Sequence, residues 1–199
     1  MKRLIVTGMG IALCFSASAV ERYVDLNNPA PVAPYTDWTS AAPDIQSAVD
    51  AASAGDVIWV TNGTYYLTSQ ISVSKAVTIQ SVNGPEVTVV DAQQYGRVFN
   101  LTASGVVLDG LTVMNGYASG NGGGIYCSSS ATITNCVISG NNATGSGGGV
   151  YGSASFSDCT ISDNTAAGGS GGGLYSGNAA NCFIANNSAS QSGGGLYGG

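Results

Sequence analysis

Gly-Gly-Gly-[Ile/Val/Leu]-Tyr occurs four times in the last 80 residues, at 122–126, 147–151, 171–175 and 193–197, with starts 25, 24 and 22 residues apart. A period of this length marks a chain that stacks one small unit on the next. The phase is tighter between the glycine runs. Cys136, Cys159 and Cys182 are each 23 residues apart, and so are Ile138/Ile161/Ile184, Asn141/Asn164/Asn187 and Ala143/Ala166/Ala189. Cys and Ile stand two positions apart, so both point to one face of a strand. The spacing therefore predicts an interior column of Ile138, Ile161 and Ile184 beside one of Cys136, Cys159 and Cys182. Ile133 and Phe156 supply a second apolar point per unit, and Ile125, Val150, Leu174 and Leu196 a third.

Three short apolar runs separated by Gly, Asn and Ser do not suit a helical repeat, because glycine is costly inside helices. They suit one turn of a parallel β-coil with three strands and 22–25 residues per turn. A single turn cannot bury its own apolar face, but stacked turns make a continuous core. Asparagine tolerates left-handed corners. Asparagines at equal positions can also bond their copies above and below. A flexible linker is the weaker reading of the Gly-rich tail, since linkers do not keep Cys, Ile, Asn and Tyr in register.

Gly-Gly-Gly-Ile-Tyr (122–126) and Ile-Ser-Gly-Asn-Asn-Ala (138–143) resemble the repeats of the polymorphic outer-membrane protein family. Here a third Gly stands where that family has Ala, and Ile-x-x-Asn stands for Phe-x-x-Asn. More broadly the chain is similar to right-handed parallel β-helix proteins of the pectate-lyase-like superfamily. The resemblance implies an all-β, right-handed parallel β-helix.

The first 19 residues read as a secretory signal peptide. Lys2 and Arg3 precede the mostly apolar 4–15, and Ala17-Ser18-Ala19 forms a small-x-small cleavage site. Residues 20–43 read as an extended lead-in, with Pro29, Pro31, Pro34 and Asn27-Asn28. A capping helix is expected at 44–53, where Ile45, Ala48, Val49 and Ala52 recur at helical spacing between Asp44 and Gly55. Gly55-Asp56-x-Ile58-x-Val60-x-x-Gly63-x-Tyr65 follows. A helix ahead of this pattern resembles the start of secreted pectate-lyase-like coils, where the helix covers the open end and its unpaired edges. The β-helix is expected over 44–199, with irregular turns at 57–118 and regular Gly-rich repeats at 119–199. Candidate strands in the irregular part are 57–60, 77–80, 87–90, 98–101, 106–108 and 111–113. No capping unit follows Gly193–Tyr197, so the chain is expected to be C-terminally incomplete and to self-associate end to end.

From Val20 onward three basic residues, Arg22, Lys75 and Arg97, stand against eleven acidic ones, a formal charge of −8. Without a basic patch, nucleic acid and anionic membrane surfaces are poor partners. Nothing after the signal segment is long and apolar enough to span a bilayer as a helix. The stacked cysteines read as a ladder of buried thiols acting as small hydrophobes. Zinc is disfavoured, because there is no histidine and no Cys-x-x-Cys pair. The absence of histidine also removes Ser-His-Asp and Cys-His triads. Calcium-binding glycine repeats need an Asp within each glycine turn, and these turns have none.

Pectate-lyase-like enzymes combine calcium-binding carboxylates with an Arg or Lys base. The resemblance therefore makes Arg97, Lys75, Asp91 and Asp109 the residues to watch. Asp158 and Asp163 read instead as turn residues, matching Asn135 and Asn181, or Gly140 and Asn186, in neighbouring turns. No catalytic, cofactor or metal residue is assigned and no cofactor is expected. The leading function is a non-enzymatic, adhesin-like or passenger-type scaffold, exported to the extracellular space or outer cell surface, with a polysaccharide or host matrix as partner. The alternative is a polysaccharide lyase or glycoside hydrolase assisted by Ca2+.

Overall fold

The computed structural model describes residues 18–198. Most of the expected signal segment lies outside the described residues. The rest forms a parallel β-helix with one helix, α1 (Ile45–Ala51), near the N-terminal end. The first sheet runs Glu21–Val24, Val57–Val60, Thr78–Ser81, Val106–Asp109, Ala131–Thr134, Ala154–Ser157 and Asn178–Ala180. The second runs from Gly63–Tyr66 through Thr88–Asp91, Thr112–Met114, Val137–Ser139 and Thr160–Ser162 to Phe183–Ala185. The third runs from Ile71–Val73 through Phe99–Leu101, Ile125–Cys127, Val150–Tyr151 and Leu174–Tyr175 to Leu196–Tyr197.

The regular turns carry more than the three expected strands. Tyr117–Ala118, Asn142–Ala143, Thr165–Ala166 and Ser188–Ala189 pair as a fourth sheet of two-residue strands. Two residues are too few for an alternating pattern, yet the in-phase alanines mark them. Ala118, Ala143 and Ala166 point inward and are buried. The extended lead-in also supplies a strand of the first sheet, since Glu21–Val24 pairs in parallel with Val57–Val60.

Pairing follows the 23-residue phase. Ile138 lies against Val113 and Ile161, and Ile161 against Ile184. Ile133 lies between Leu108 and Phe156 on the first sheet. Ile138 and Ile161 are fully buried, as are Cys136 and Cys159 within 2%. Ile184 and Cys182 are partly buried against the same core. Each buried aliphatic side chain contributes roughly 1.5–3 kcal/mol relative to exposure.

The asparagines behave as the repeat suggested. Asn141 Nδ2 donates to Asn164 Oδ1 at 2.9 Å, and Asn164 Nδ2 donates to Asn187 Oδ1 at 2.9 Å. The same oxygens accept the backbone N–H of Asn141 and of Asn164, both at 3.0 Å. Glycine is required beside this column. A Cβ on Gly149 would stand 2.6 Å from the Gly173 carbonyl and 3.1 Å from the Asn164 side chain. Neighbouring turns approach too closely there for any side chain.

Helix α1 is shorter than expected but capped as expected. Asp44 accepts the Ser47 N–H at 2.8 Å. Ile45, Ala48 and Val49 face the core. Arg22 points into the interior column of the first sheet, beside Ile58. Its charge is matched by Asp56, with an Nη2–Oδ2 distance of 2.8 Å and Nε donating to Oδ2 at 3.0 Å.

Candidate functional site: the outer faces of the coil

The outward positions of the third sheet carry the tyrosines of the glycine motif. Tyr126, Tyr151, Tyr175 and Tyr197 are in register. Their rings stack with centroids 5.5, 4.8 and 5.1 Å apart and planes inclined by 12°, 17° and 27°. The Arg97 guanidinium carbon lies 5.0 Å from the Tyr126 ring centre and closes one end of the row. Ring faces are spent on one another, so the ladder shows its edges and hydroxyls along the side of the coil. The motif contained this ladder in plain view, since each Tyr follows an inward Ile, Val or Leu by one residue.

Arg97 is held in place by backbone carbonyls. Nε donates to Gly122 O at 2.7 Å, Nη2 to Asn121 O at 2.8 Å and Nη1 to Gln70 Oε1 at 3.1 Å. Burial pulls its guanidinium below the ordinary value, and Tyr126 acts in the opposite sense. Lys75 is committed to α1. Its Nζ donates to the carbonyls of Val49, Asp50 and Ala52 at 3.1, 2.9 and 2.7 Å, closing the helix C-terminus.

The carboxylates do not join these cations. Asp91 ends a strand of the second sheet, where it accepts from Gln93 N at 2.7 Å and Asn115 Nδ2 at 3.0 Å. Asp109 ends a strand of the first sheet, and burial raises its carboxyl above the usual range. Asp158 and Asp163 sit at φ +56° and +58°, matching Asn135, Asn181 and Asn186 at +50° to +55° and Gly140 at +64°. They are corner residues. Thus Asp91 and Asp109 end strands of different sheets while Lys75 and Arg97 stand in the connections between strands, and of the four only Asp109 lacks a side-chain partner among the described residues.

Residues 49–198 match the family model described as "Periplasmic copper-binding protein (NosD)". No curated protein and no solved structure matches the chain. The copper in that description can be set against the donors present. The sequence holds no histidine. Among the described residues no three of Cys, Asp and Glu converge as a metal-binding group. Met114 is the sole methionine after residue 9. Burial pushes the thiols of Cys127 and Cys136 up to about 12 and that of Cys159 up to about 11. They stay protonated at neutral pH, and two of them donate to backbone carbonyls. Cys159 Sγ reaches Ser157 O at 3.2 Å and Ile133 O at 3.4 Å, and Cys136 Sγ reaches Leu108 O at 3.7 Å. Thiolate, imidazole and thioether are the donors that favour copper most; these thiols are protonated and buried, and no donor cluster gathers around them among the described residues, so they do not form a copper site.

Proposed function

From its match over residues 49–198 the chain belongs to the NosD family, and on that premise we propose that it is an exported, non-catalytic β-helix scaffold. The family's description as periplasmic supports export, and the basic start and Ala17-Ser18-Ala19 agree with it. The proposal places the coil outside the cytoplasm, at the cell surface or beyond, with its lateral faces offered to a polysaccharide or matrix partner. An adhesin-like or passenger-type role belongs to this reading, and so does kinship with pectate-lyase-like and polymorphic outer-membrane coils.

One observation carries it: the four cations and carboxylates raised by the sequence are dispersed, and Arg97, Lys75 and Asp91 are structurally committed. A lyase needs a base within hydrogen-bond reach of the carbon acid and carboxylates placed to hold calcium. Arg97 is tied to Gly122, Asn121 and Gln70, and Lys75 to the end of α1. Asp91 and Asp109 belong to different sheets.

The test is incubation of the chain from Val20 with polyuronates and with neutral polysaccharides, with and without calcium. Unsaturated uronates are read by absorbance and new reducing ends by end-group assay. No turnover is expected. Calcium-dependent product that disappears in Arg97→Ala would overturn the proposal and establish the lyase alternative.

A further inference from the structure

A groove of about 480 Å³ opens beside the lead-in, lined by Asp25, Asn27, Trp38, Asn62, Val82 and Asn83 together with Thr61. It is a shallow, open depression rather than an enclosed cavity, suited to one face of a ring and not to a buried ligand. Asp25, Asn27 and Trp38 precede the stretch that matches the family. We propose that this groove binds a neutral saccharide, one sugar ring stacking on Trp38 while its hydroxyls bond Asp25, Asn62 and Asn83.

Trp38 is 43% exposed and Val82 42%, so an indole and an isopropyl group stand open in an otherwise polar cleft. The indole is held rather than loose. Its ring meets Tyr23 edge-on, with centroids 4.4 Å apart and planes at 61°. Tyr23 OH donates to Glu21 Oε2 at 2.7 Å, and Trp59 Nε1 reaches Glu21 Oε1 at 3.4 Å. The turn after Asp37 is tied as well, since Asp37 Oδ1 accepts from Thr39 Oγ1 at 2.6 Å and Ser40 N at 2.8 Å. Those bonds, the Thr39 hydroxyl first, hold the Asp37 carboxyl below its usual range. A preformed platform lowers the ordering cost of binding.

The opposite wall offers both hydrogen-bond senses in fixed orientation. Asn83 Nδ2 donates to Asn62 Oδ1 at 2.8 Å. That bond leaves Asn62 Nδ2 as a donor and Asn83 Oδ1 as an acceptor. Asp25 Oδ1 accepts the Asn27 N–H at 2.9 Å, which leaves Oδ2 without a partner among the described residues. Sugar hydroxyls donate and accept at once, so adjacent hydroxyls suit a wall of mixed amides and a carboxylate. The C–H face of a pyranose is apolar and slightly positive, which suits the negative face of an indole. Asp25 lines the groove, and no lysine or arginine does. Uronates and sulfated sugars would be repelled.

The inference rests on the non-catalytic reading, in that the sugar is held without being cleaved. The experiment uses the chain from Val20 with Trp59 retained, and the Trp38 fluorescence is isolated by subtracting the signal of Trp38→Phe. The chain is titrated with oligomers of glucose, galactose, mannose, xylose and N-acetylglucosamine, and with oligouronates as the acidic counter-probe. Saturable quenching by at least one neutral series is expected, with no response to uronates. Calorimetry on Trp38→Ala should show affinity lowered about ten-fold or more, and on Trp38→Phe affinity kept within about three-fold. Asn83→Ala and Asp25→Asn should each weaken binding, and Thr132→Ala, exposed two strands beyond Thr78–Ser81 on the first sheet, should not. No neutral sugar bound at about 10 mM, uronates bound more tightly than neutral sugars, or Trp38→Ala and Asn83→Ala binding like the parent would each overturn the assignment. Cleavage of a bound neutral sugar would overturn the non-catalytic reading and leave the groove assignment standing.

Discussion

Asn164→Ala tests whether the amide ladder holds the turns together. Asn164 is fully buried. Its Oδ1 accepts from Asn141 N at 3.0 Å and Asn141 Nδ2 at 2.9 Å, and its Nδ2 donates to Ile138 O at 2.9 Å and Asn187 Oδ1 at 2.9 Å. Truncation removes four bonds at once. Asn141 Nδ2 keeps Val113 O and Ser139 O, both at 3.1 Å. The backbone N–H of Asn141, itself 1% exposed, is left without a partner. One orphaned buried donor costs about 1–3 kcal/mol, and each lost bond about 1 kcal/mol net. Some of these bonds overlap, so the expected loss is about 3–5 kcal/mol, a large share of a typical domain's stability of roughly 5–15 kcal/mol. Asn187→Ala is the internal control. Asn187→Ala removes four equivalent bonds and orphans the Asn164 N–H, but Asn187 is itself only partly buried and water can replace part of the loss, so it should cost less, roughly 2–3 kcal/mol. The assay is urea unfolding of the chain from Val20, followed by circular dichroism, with hydrogen exchange at Asn141 N–H as a local probe. Repeat stacks can lose cooperativity, so the exchange rate at that amide is the sharper measurement. If Asn164→Ala costs no more than Asn187→Ala, or leaves the Asn141 amide protected, the ladder is not what joins the turns.

Asp56 should make the N-terminal end acid-sensitive. Burial alone would raise its carboxyl, but the N–H groups of Ser53 and Val20 and the Arg22 guanidinium outweigh burial and hold it low. A depressed folded value means stability that is present above the unfolded value, about 3.9, and lost as pH falls through the folded one. Thermal melts from pH 7 to 2 should therefore fall more steeply for the native chain than for Asp56→Asn, and parallel curves would refute the pairing. The thiols of the chain from Val20 should divide three to one. Buried Cys127, Cys136 and Cys159 stay unreactive toward a disulfide reagent at pH 8, while the partly exposed Cys182 reacts at once. A second fast thiol in the folded chain would contradict the interior column.

The sequence by itself determined the coil. A 23-residue phase in Cys, Ile, Asn and Ala dictates stacking, because every turn must bury the same apolar points against the same neighbours. Period-two spacing within Cys136-x-Ile138 settles which side faces in. The capping helix was legible for a similar reason, as Ile45, Ala48 and Val49 repeat at helical spacing behind Asp44. The fourth strand was not, since two residues such as Asn142 and Ala143 carry no periodicity and become a strand only by lying on Tyr117–Ala118 and Thr165–Ala166. Glu21–Val24 was hidden likewise. Its inward residues are Arg22 and Val24, and the cation becomes tolerable inside only because Asp56 comes from the next turn. The fates of Arg97 and Lys75 also lay beyond the sequence. A cation reads the same whether it faces a substrate or a row of backbone carbonyls, and only folding brought Gly122 to one and the end of α1 to the other. The groove at Trp38 joins residues 25–38 to residues 61–83 across separate strands. Local pattern carries what each turn does to the next, whereas contacts that skip between unlike segments exist only once the chain has closed on itself.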